Sequence, residues 1–340
     1  MPITTDCIVI ETRGQLHLPV MLDEVMALLQ CRPGGVYVDV TVGGGGYSEA
    51  MLQRSGPDGV VFGLDWDSDA LVVARQRLQD FGLRLILRQG NFATLPETMR
   101  EFGFGPVDGI VADLGISSLQ LDEPSRGFSF QQDGPLDMRM DQSLMQTAAD
   151  LVNFLPEREL GNLIFTLGDE RWGRRIAHTI VLHRQVEPFT RTRQLAELVA
   201  KVVPKSSDTR RIHPATRTFQ ALRLAVNHEL ENLEQFLANV LNLLKPEGRL
   251  CIVAFHSLED RRVKQHFKSW ASPCRCPRDL PVCQCTGQPL VHLLTRKALR
   301  PREQEIQANP RARSARLRAL EKCRGETHVD TEHLERTLDE

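Results

Sequence analysis

Three aspartates and one run of glycines are the residues whose types and spacing could do chemistry. A short apolar run ends in Asp39 and opens into four consecutive glycines, Gly43 to Gly46, before a segment of helical character over Tyr47–Gln53. A strand that hands over to a helix through residues without Cβ atoms lets a bulky ligand lie against the backbone. A second apolar run, VVFGLDWD, carries Asp65. An acidic residue at that offset from the glycines is placed to accept hydrogen bonds from a ribose diol. A third run, GPVDGIVADLGISS, brings Asp113 to the carboxyl end of a further strand, where open α/β sheets form their ligand crevice. Together these features imply a nucleoside-containing cofactor.

The glycine frame narrows the choice. A dinucleotide fingerprint requires G-x-G-x-x-G. Counted from Gly43 its third glycine would fall on Ser48, and counted from Gly44 on Glu49. Glu49 would also place a negative charge in the first helical turn, where a pyrophosphate should sit. The pattern D-x-T-x-G-x-G-G over Asp39–Gly46 suits S-adenosylmethionine better, because that cofactor has a ribose, an adenine and an amino-acid tail but no phosphate. A glycine run alone also fits a plain turn; Asp65 favours the cofactor.

The elements that must position these residues follow from hydrophobic periodicity. Helical spacing over Leu18–Gln30 stops before Pro33-Gly34-Gly35. Strands are expected at Val36–Val42, Val60–Leu64, Leu83–Leu87 and Gly109–Asp113, with helices at Tyr47–Gln53, Ser68–Phe81 and Thr94–Phe102 between them. This alternation predicts an α/β fold built on a doubly wound, mostly parallel sheet. From Gln120 to about Pro214 the strands cease and helices are expected at Ala148–Phe154, Glu157–Thr166, Asp169–His183 and Arg193–Val203. The segment DEPSRGFSFQQDGPLDMRM, Asp122 to Met140, is too long for a routine connection. One long helix over Ala215–Leu244 then leads into the strand RLCIVAFHS. The expected division is a discontinuous sheet domain, 1–120 and 215–300, an inserted all-helical subdomain, 121–214, and a basic C-terminal tail, 301–340.

The chain has 340 residues, 41% of them hydrophobic, enough for one large core or two smaller ones. With a net charge of -2, affinity for nucleic acid must come from local patches. Such patches exist: Arg296, Lys297, Arg300, Arg302, Arg311, Arg313, Arg316 and Arg318 lie close together, as do Lys205, Arg210, Arg211, His213, Arg217 and Arg223. A shorter run, Arg171, Arg174 and Arg175, lies in the insertion. Each run alone reads as a solvated face, but two runs flanking a cofactor crevice favour a phosphate-rich substrate. No apolar run is long enough to span a membrane, and the first residues lack a basic region followed by an apolar core, so a cytoplasmic protein is expected. Cys274, Cys276, Cys283 and Cys285 form a C-x-C…C-x-C cluster. It could close around zinc, although paired zinc cysteines usually stand further apart; a loop of reduced thiols is the other reading. No metal is assigned to the site.

The segments DVTVGGGGYS, VADLGISSLQLDEPSRGFSFQQDGPLDMRM, HPATRTFQALRLAVNHEL, FHSLEDRRVK and NPRARSARLR resemble those of the bacterial RsmH (MraW) family. The similarity runs from about Leu18 to Arg318. It implies a class I S-adenosylmethionine-dependent methyltransferase with an inserted helical domain. It further implies that the substrate is the small ribosomal subunit, and that the N4 amine of a cytidine in its 16S RNA is methylated. Carried over by position, the resemblance sets the cofactor against Gly45, Gly46 and Tyr47, with Asp65 at the ribose, Phe92 either stacked on the adenine or a core residue at a strand end, and Asp113 and Gln120 at either end of DLGISSLQ. The family usually has His where this chain has Tyr47, which leaves a backbone contact possible and the side chain's role open.

The chemical difficulty lies in the acceptor, because the cytosine amine shares its lone pair with the ring. A hydrogen-bond acceptor on that amine localises the lone pair and stabilises the developing positive charge. Asp113 is the candidate catalytic residue for this role; seating the methionine tail is its alternative. His213 and His256 are expected to orient structure or contact RNA. The loop Arg126-Gly127-Phe128-Ser129-Phe130 could stack on a splayed base, or its phenylalanines could pin the loop. The competing functions are methylation of another RNA or a protein, and a non-catalytic RNA-binding module that kept the fold. A homodimer is possible.

Overall fold

In the computed structural model, residues 19–204, 213–274, 276 and 287–324 are described. Seven strands form one sheet: β1 (Val36–Asp39), β2 (Val60–Asp65), β3 (Leu85–Gln89), β4 (Val107–Asp113), β5 (Leu244–Ala254), β6 (Val291–Leu293) and β7 (Arg316–Lys322). Their order is β3-β2-β1-β4-β5-β7-β6. The first five run parallel, and β7 is antiparallel to both β5 and β6. β1 lies between β2 and β4, with Asp39 in register with Gly63 on one side and Val111 on the other. The strand order reverses there, so the switch-point crevice opens over Asp39, Asp65 and Asp113.

The helices flanking this sheet are α1 (Leu22–Leu29), α2 (Gly46–Arg54), α3 (Ser68–Arg77), α4 (Leu95–Glu101) and a short α5 (Ser118–Asp122). One face is packed with Leu95, Met99, Leu233, Phe236 and Val263 against Val38, Ile110 and Ile252. The other is packed with Val25, Met26, Met51 and Leu52 against Tyr37, Val61 and Val253. Buried on both faces, the strands have little room for polar residues until they reach their carboxyl ends.

The segment between holds α6 (Ala148–Phe154), α7 (Glu157–Gly168), α8 (Gly173–Arg184) and α9 (Thr192–Val202). These helices bury a separate core that includes Leu160, Ile164, Ile176, Ile180, Phe189 and Val199. Instead of one helix over Ala215–Leu244 there are two, α10 (Thr216–Val226) and α11 (Glu229–Val240), followed by α12 (Ser257–Trp270) and α13 (Glu303–Ala308). The break falls at Asn227 and His228, where His228 has φ 49°. Asn227 is fully buried and spends its side chain on the loop: Nδ2 donates to the Met138 carbonyl at 2.8 Å and Oδ1 accepts from Met140 N at 2.8 Å. A side chain bonded to distant backbone competes with continued helix. The consequence is a change of partner. Ala215, the N-cap, and Phe219, Leu222 and Val226 of α10 pack into the helical core, whereas Leu233, Phe236 and Val240 of α11 pack on the sheet. The helical core thus reaches past the expected boundary at residue 214.

The basic tail is likewise different from expectation. Arg316–Lys322 is strand β7, inserted between β5 and β6, with Leu317, Ala319 and Leu320 fully buried. The segment RLRAL is a strand buried on both faces, with Leu317 and Ala319 packed in one core and Leu320 in the other. Density of charge masked that strand.

Candidate active site

The glycine loop closes on Asp65. Its Oδ2 accepts from Gly43 N at 2.7 Å and its Oδ1 from Asp67 N at 2.9 Å, and burial pushes its carboxyl up to about 7. Each oxygen keeps a further lone pair for a ribose hydroxyl. A Cβ on Gly44 would meet nothing within 4 Å, and one on Gly43, at φ +51°, only the Thr41 carbonyl at 4.0 Å. The open floor for a ligand is therefore at Gly43 and Gly44. Gly45 and Gly46 answer to internal packing, since their Cβ atoms would stand 3.0 Å from Leu78 Cδ1 and 2.6 Å from Pro19 Cγ. Any contact they make with a cofactor is through backbone. Tyr47 is 3% exposed and donates its hydroxyl to the Val20 carbonyl, so its side chain belongs to the core beneath α1. Glu49 is paired with Arg77, whose Nη2 lies 2.6 Å away.

Asp113 stands at the carboxyl end of β4, its backbone N donating to Thr41 Oγ1 at 2.6 Å. Its Oδ1 is buried without a hydrogen-bond partner among the described residues. Burial first, then the nearby carboxylates Asp39 and Glu259, hold its carboxyl well above the ordinary range. Asp39 accepts from Ser48 Oγ at 2.7 Å and is itself raised to about 6, chiefly by burial. Phe92 is half-buried, its ring edge-on to Phe236 with centroids 5.5 Å apart.

Gln120 is 4% exposed and does two things. Its Oε1 accepts from Ser117 N to complete a capping box on α5, and its Nε2 donates to Asp67 Oδ2 at 2.9 Å. Asp67 was not anticipated, nor was its pairing with Arg126, whose Nη1 donates to the same oxygen at 2.8 Å. Asp67 also caps α3 through Asp69 N. The only sequence signal was the D-x-D-x-D spacing Asp65, Asp67, Asp69, which reads equally well as a solvated turn. Arg126 is thus committed to a buried ion pair and does not offer itself to a base. The two phenylalanines beside it pin the loop. Phe128 is 6% exposed in the helical core, and Phe130 packs on Phe219 and on His213, at 4.8 and 4.6 Å between centroids.

His256 caps α12, with its Nδ1 accepting from Glu259 N at 3.4 Å. Lys205, Arg210 and Arg211 of the second basic run, and Cys283 and Cys285 of the cysteine cluster, lie outside the described residues. Among the described residues no helix is long and apolar enough to cross a membrane.

An open floor at Gly43–Gly44, the Asp65 carboxylate beside it and a buried Asp113 oxygen without a partner among the described residues together fit S-adenosylmethionine. The model of the MraW methylase family matches residues 14–323. The ribosomal RNA small subunit methyltransferase H of Syntrophobacter fumaroxidans is 62% identical over 306 residues, covering 90% of this chain and 96% of that one. Its counterpart from Syntrophotalea carbinolica is 53% identical over 304 residues, covering 89% and 97%. A solved S-adenosylmethionine-dependent O-methyltransferase from Thermotoga maritima superimposes with a TM-score of 0.41 at 11% identity, covering 93% of this chain and 70% of that one. The chain belongs to the MraW methylase family: its doubly wound sheet is that of a class I methyltransferase, and its cofactor is S-adenosylmethionine.

Proposed function

We propose that this chain methylates the N4 amine of a cytidine in small-subunit ribosomal RNA. The observation that carries the chemistry is Asp113 Oδ1, a buried acceptor at the crevice without a donor among the described residues. The observation that carries the substrate is identity above 50% along nearly the whole chain to relatives named for small-subunit ribosomal RNA.

S-adenosylmethionine, held over Gly43 and Gly44, would supply a methyl group on a sulfonium and would leave as the neutral thioether once its S–CH3 bond breaks. Asp65 orients it by accepting from the ribose diol, and Phe92 offers a half-buried ring to the adenine. Asp113 accepts an N–H of the cytosine amine. That bond draws the nitrogen lone pair out of the ring for in-line attack, and the added positive charge is met by the carboxyl. A cation in the crevice also counters the burial that raises the Asp113 carboxyl. The proton lost from the methylated amine passes to Asp113 or to water.

Small ribosomal subunits lacking the modification, incubated with the protein and methyl-labelled S-adenosylmethionine and then digested to nucleosides, test the reading. Label is expected in N4-methylcytidine. Label confined to ribosomal protein, or found in another nucleoside, overturns the assignment.

A further inference from the structure

A cavity of about 280 Å³ lies beside the crevice, beyond the carboxyl end of β5. Its wall is built from three stretches of chain: His256 and Ser257 at the start of α12, Arg300, and Arg313 with Arg316. It adjoins the methyl-transfer crevice. A Cβ on Gly115, two residues beyond Asp113, would meet the ring of Phe255 at 3.3 Å, and Leu114 N donates to the Val253 carbonyl at 2.8 Å. The charges are unequal in commitment. Arg316 pairs with Asp260 at 2.8 Å, which Arg318 also holds at 2.7 Å, so those two cations and that anion are largely spent on one another. Arg300 and Arg313 are exposed and have no ion pair or hydrogen bond among the described residues. His256 Nε2 is buried 3.1 Å from Glu259 Oε1, so the imidazole is held by that carboxylate and lines the cavity without donating into it. The N-terminus of α12 is closed by its own capping box, with Glu259 and Asp260 in its first turn, and leaves the exposed Ser257 on the same wall.

Two guanidiniums without a partner among the described residues converge with the exposed Ser257 on one hollow. That is a donor set for a tetrahedral anion with several acceptor oxygens. We propose that this cavity holds one backbone phosphate of the substrate RNA, next to the nucleotide presented to Asp113. The proposal rests on the RNA reading above and adds the site that fixes the strand's register. Phosphate contacts position a strand without reading its sequence, so the cavity serves as a ruler from the backbone to the reactive amine.

The test uses the full-length protein, an unmodified small-subunit RNA transcript and the double variants R300Q/R313Q and R300K/R313K. Both arginines are exposed and unpaired among the described residues, so neither pair of substitutions threatens the fold; unchanged binding of S-adenosylmethionine verifies this. For R300Q/R313Q the transcript is expected to bind about tenfold more weakly at physiological salt. The slope of log K against log salt should become shallower by roughly 0.7 to 1, as the loss of one phosphate contact requires. R300K/R313K should recover most of the affinity. Unchanged affinity and slope, with the unsubstituted protein still methylating RNA, overturn the phosphate site and leave the function standing. An unsubstituted protein that methylates no RNA overturns the function itself. Inorganic phosphate titrated alone distinguishes the source of the anion: saturation at the cavity without any effect of R300Q/R313Q on RNA overturns the assignment to a strand.

Discussion

Replacement of Arg126 by alanine is the sharpest test of how the insertion is tied to the cofactor loop. The guanidinium reaches Asp67 Oδ2 at 2.8 Å and the carbonyls of Arg139 and Met140 at 3.1 and 2.8 Å. The two side chains are 8% and 3% exposed. Removing one member of a buried pair strands the other, at about 3–5 kcal/mol. Gln120 Nε2 and Asp69 N still donate to Asp67 after the change, which places the expectation near the lower end, about 3 kcal/mol. Asp67→Ala alone removes the α3 cap as well, costing about 1 kcal/mol from that source. In the double variant no charge is stranded, so the losses should fall short of their sum by about 2 kcal/mol or more. Urea unfolding followed through Trp66, which sits between Asp65 and Asp67, measures all four corners of the cycle at unchanged m. Losses that add within about 0.5 kcal/mol, or an Arg126→Ala cost below about 1 kcal/mol, would refute the coupling.

Two further outcomes follow from the same site. Asp65 and Asp39 are raised to about 7 and about 6, so between about pH 4 and pH 7 the folded chain binds more protons than the unfolded one. The cofactor-free protein should therefore lose stability as pH rises through that window, and a melting temperature that climbs from pH 5 to pH 7.5 would contradict the assignment. Gly127 has φ +72° and its Cβ would fall 2.1 Å from the Pro135 carbonyl oxygen. Gly127→Ala should cost more than the 1–3 kcal/mol typical of overpacking (about that range) and reduce soluble yield, whereas Gly44→Ala, with open space above it, should keep its fold and lose cofactor affinity instead.

Much of the site was legible before any coordinates. Asp39, Asp65 and Asp113 each end an apolar run, and a strand's end is set by local pattern, so their gathering at one edge followed once the strands were parallel. Phe92 and Gln120 came from resemblance to known motifs. What local pattern missed was decided by distance in sequence. Asp67 and Arg126 are 59 residues apart, and neither residue's neighbours announce the pair. Tyr47 stands beside the glycines in sequence yet turns under α1, because a helix starting at Gly46 sends that position to the core.

The sequence by itself determined the strand–helix alternation, the cofactor class through a glycine frame that rejects a pyrophosphate, and the family. Periodicity and short motifs are local properties, and a parallel sheet converts them into a crevice with few alternatives. Tertiary structure alone decided that the arginine-rich end of the chain is strand β7 and that Asn227 divides the long helix between two cores. It also decided which arginines stay free. Arg300 and Arg313 differ from Arg316 and Arg318 in nothing their neighbours reveal; only the folded position of Asp260 separates the spent charges from those that remain available.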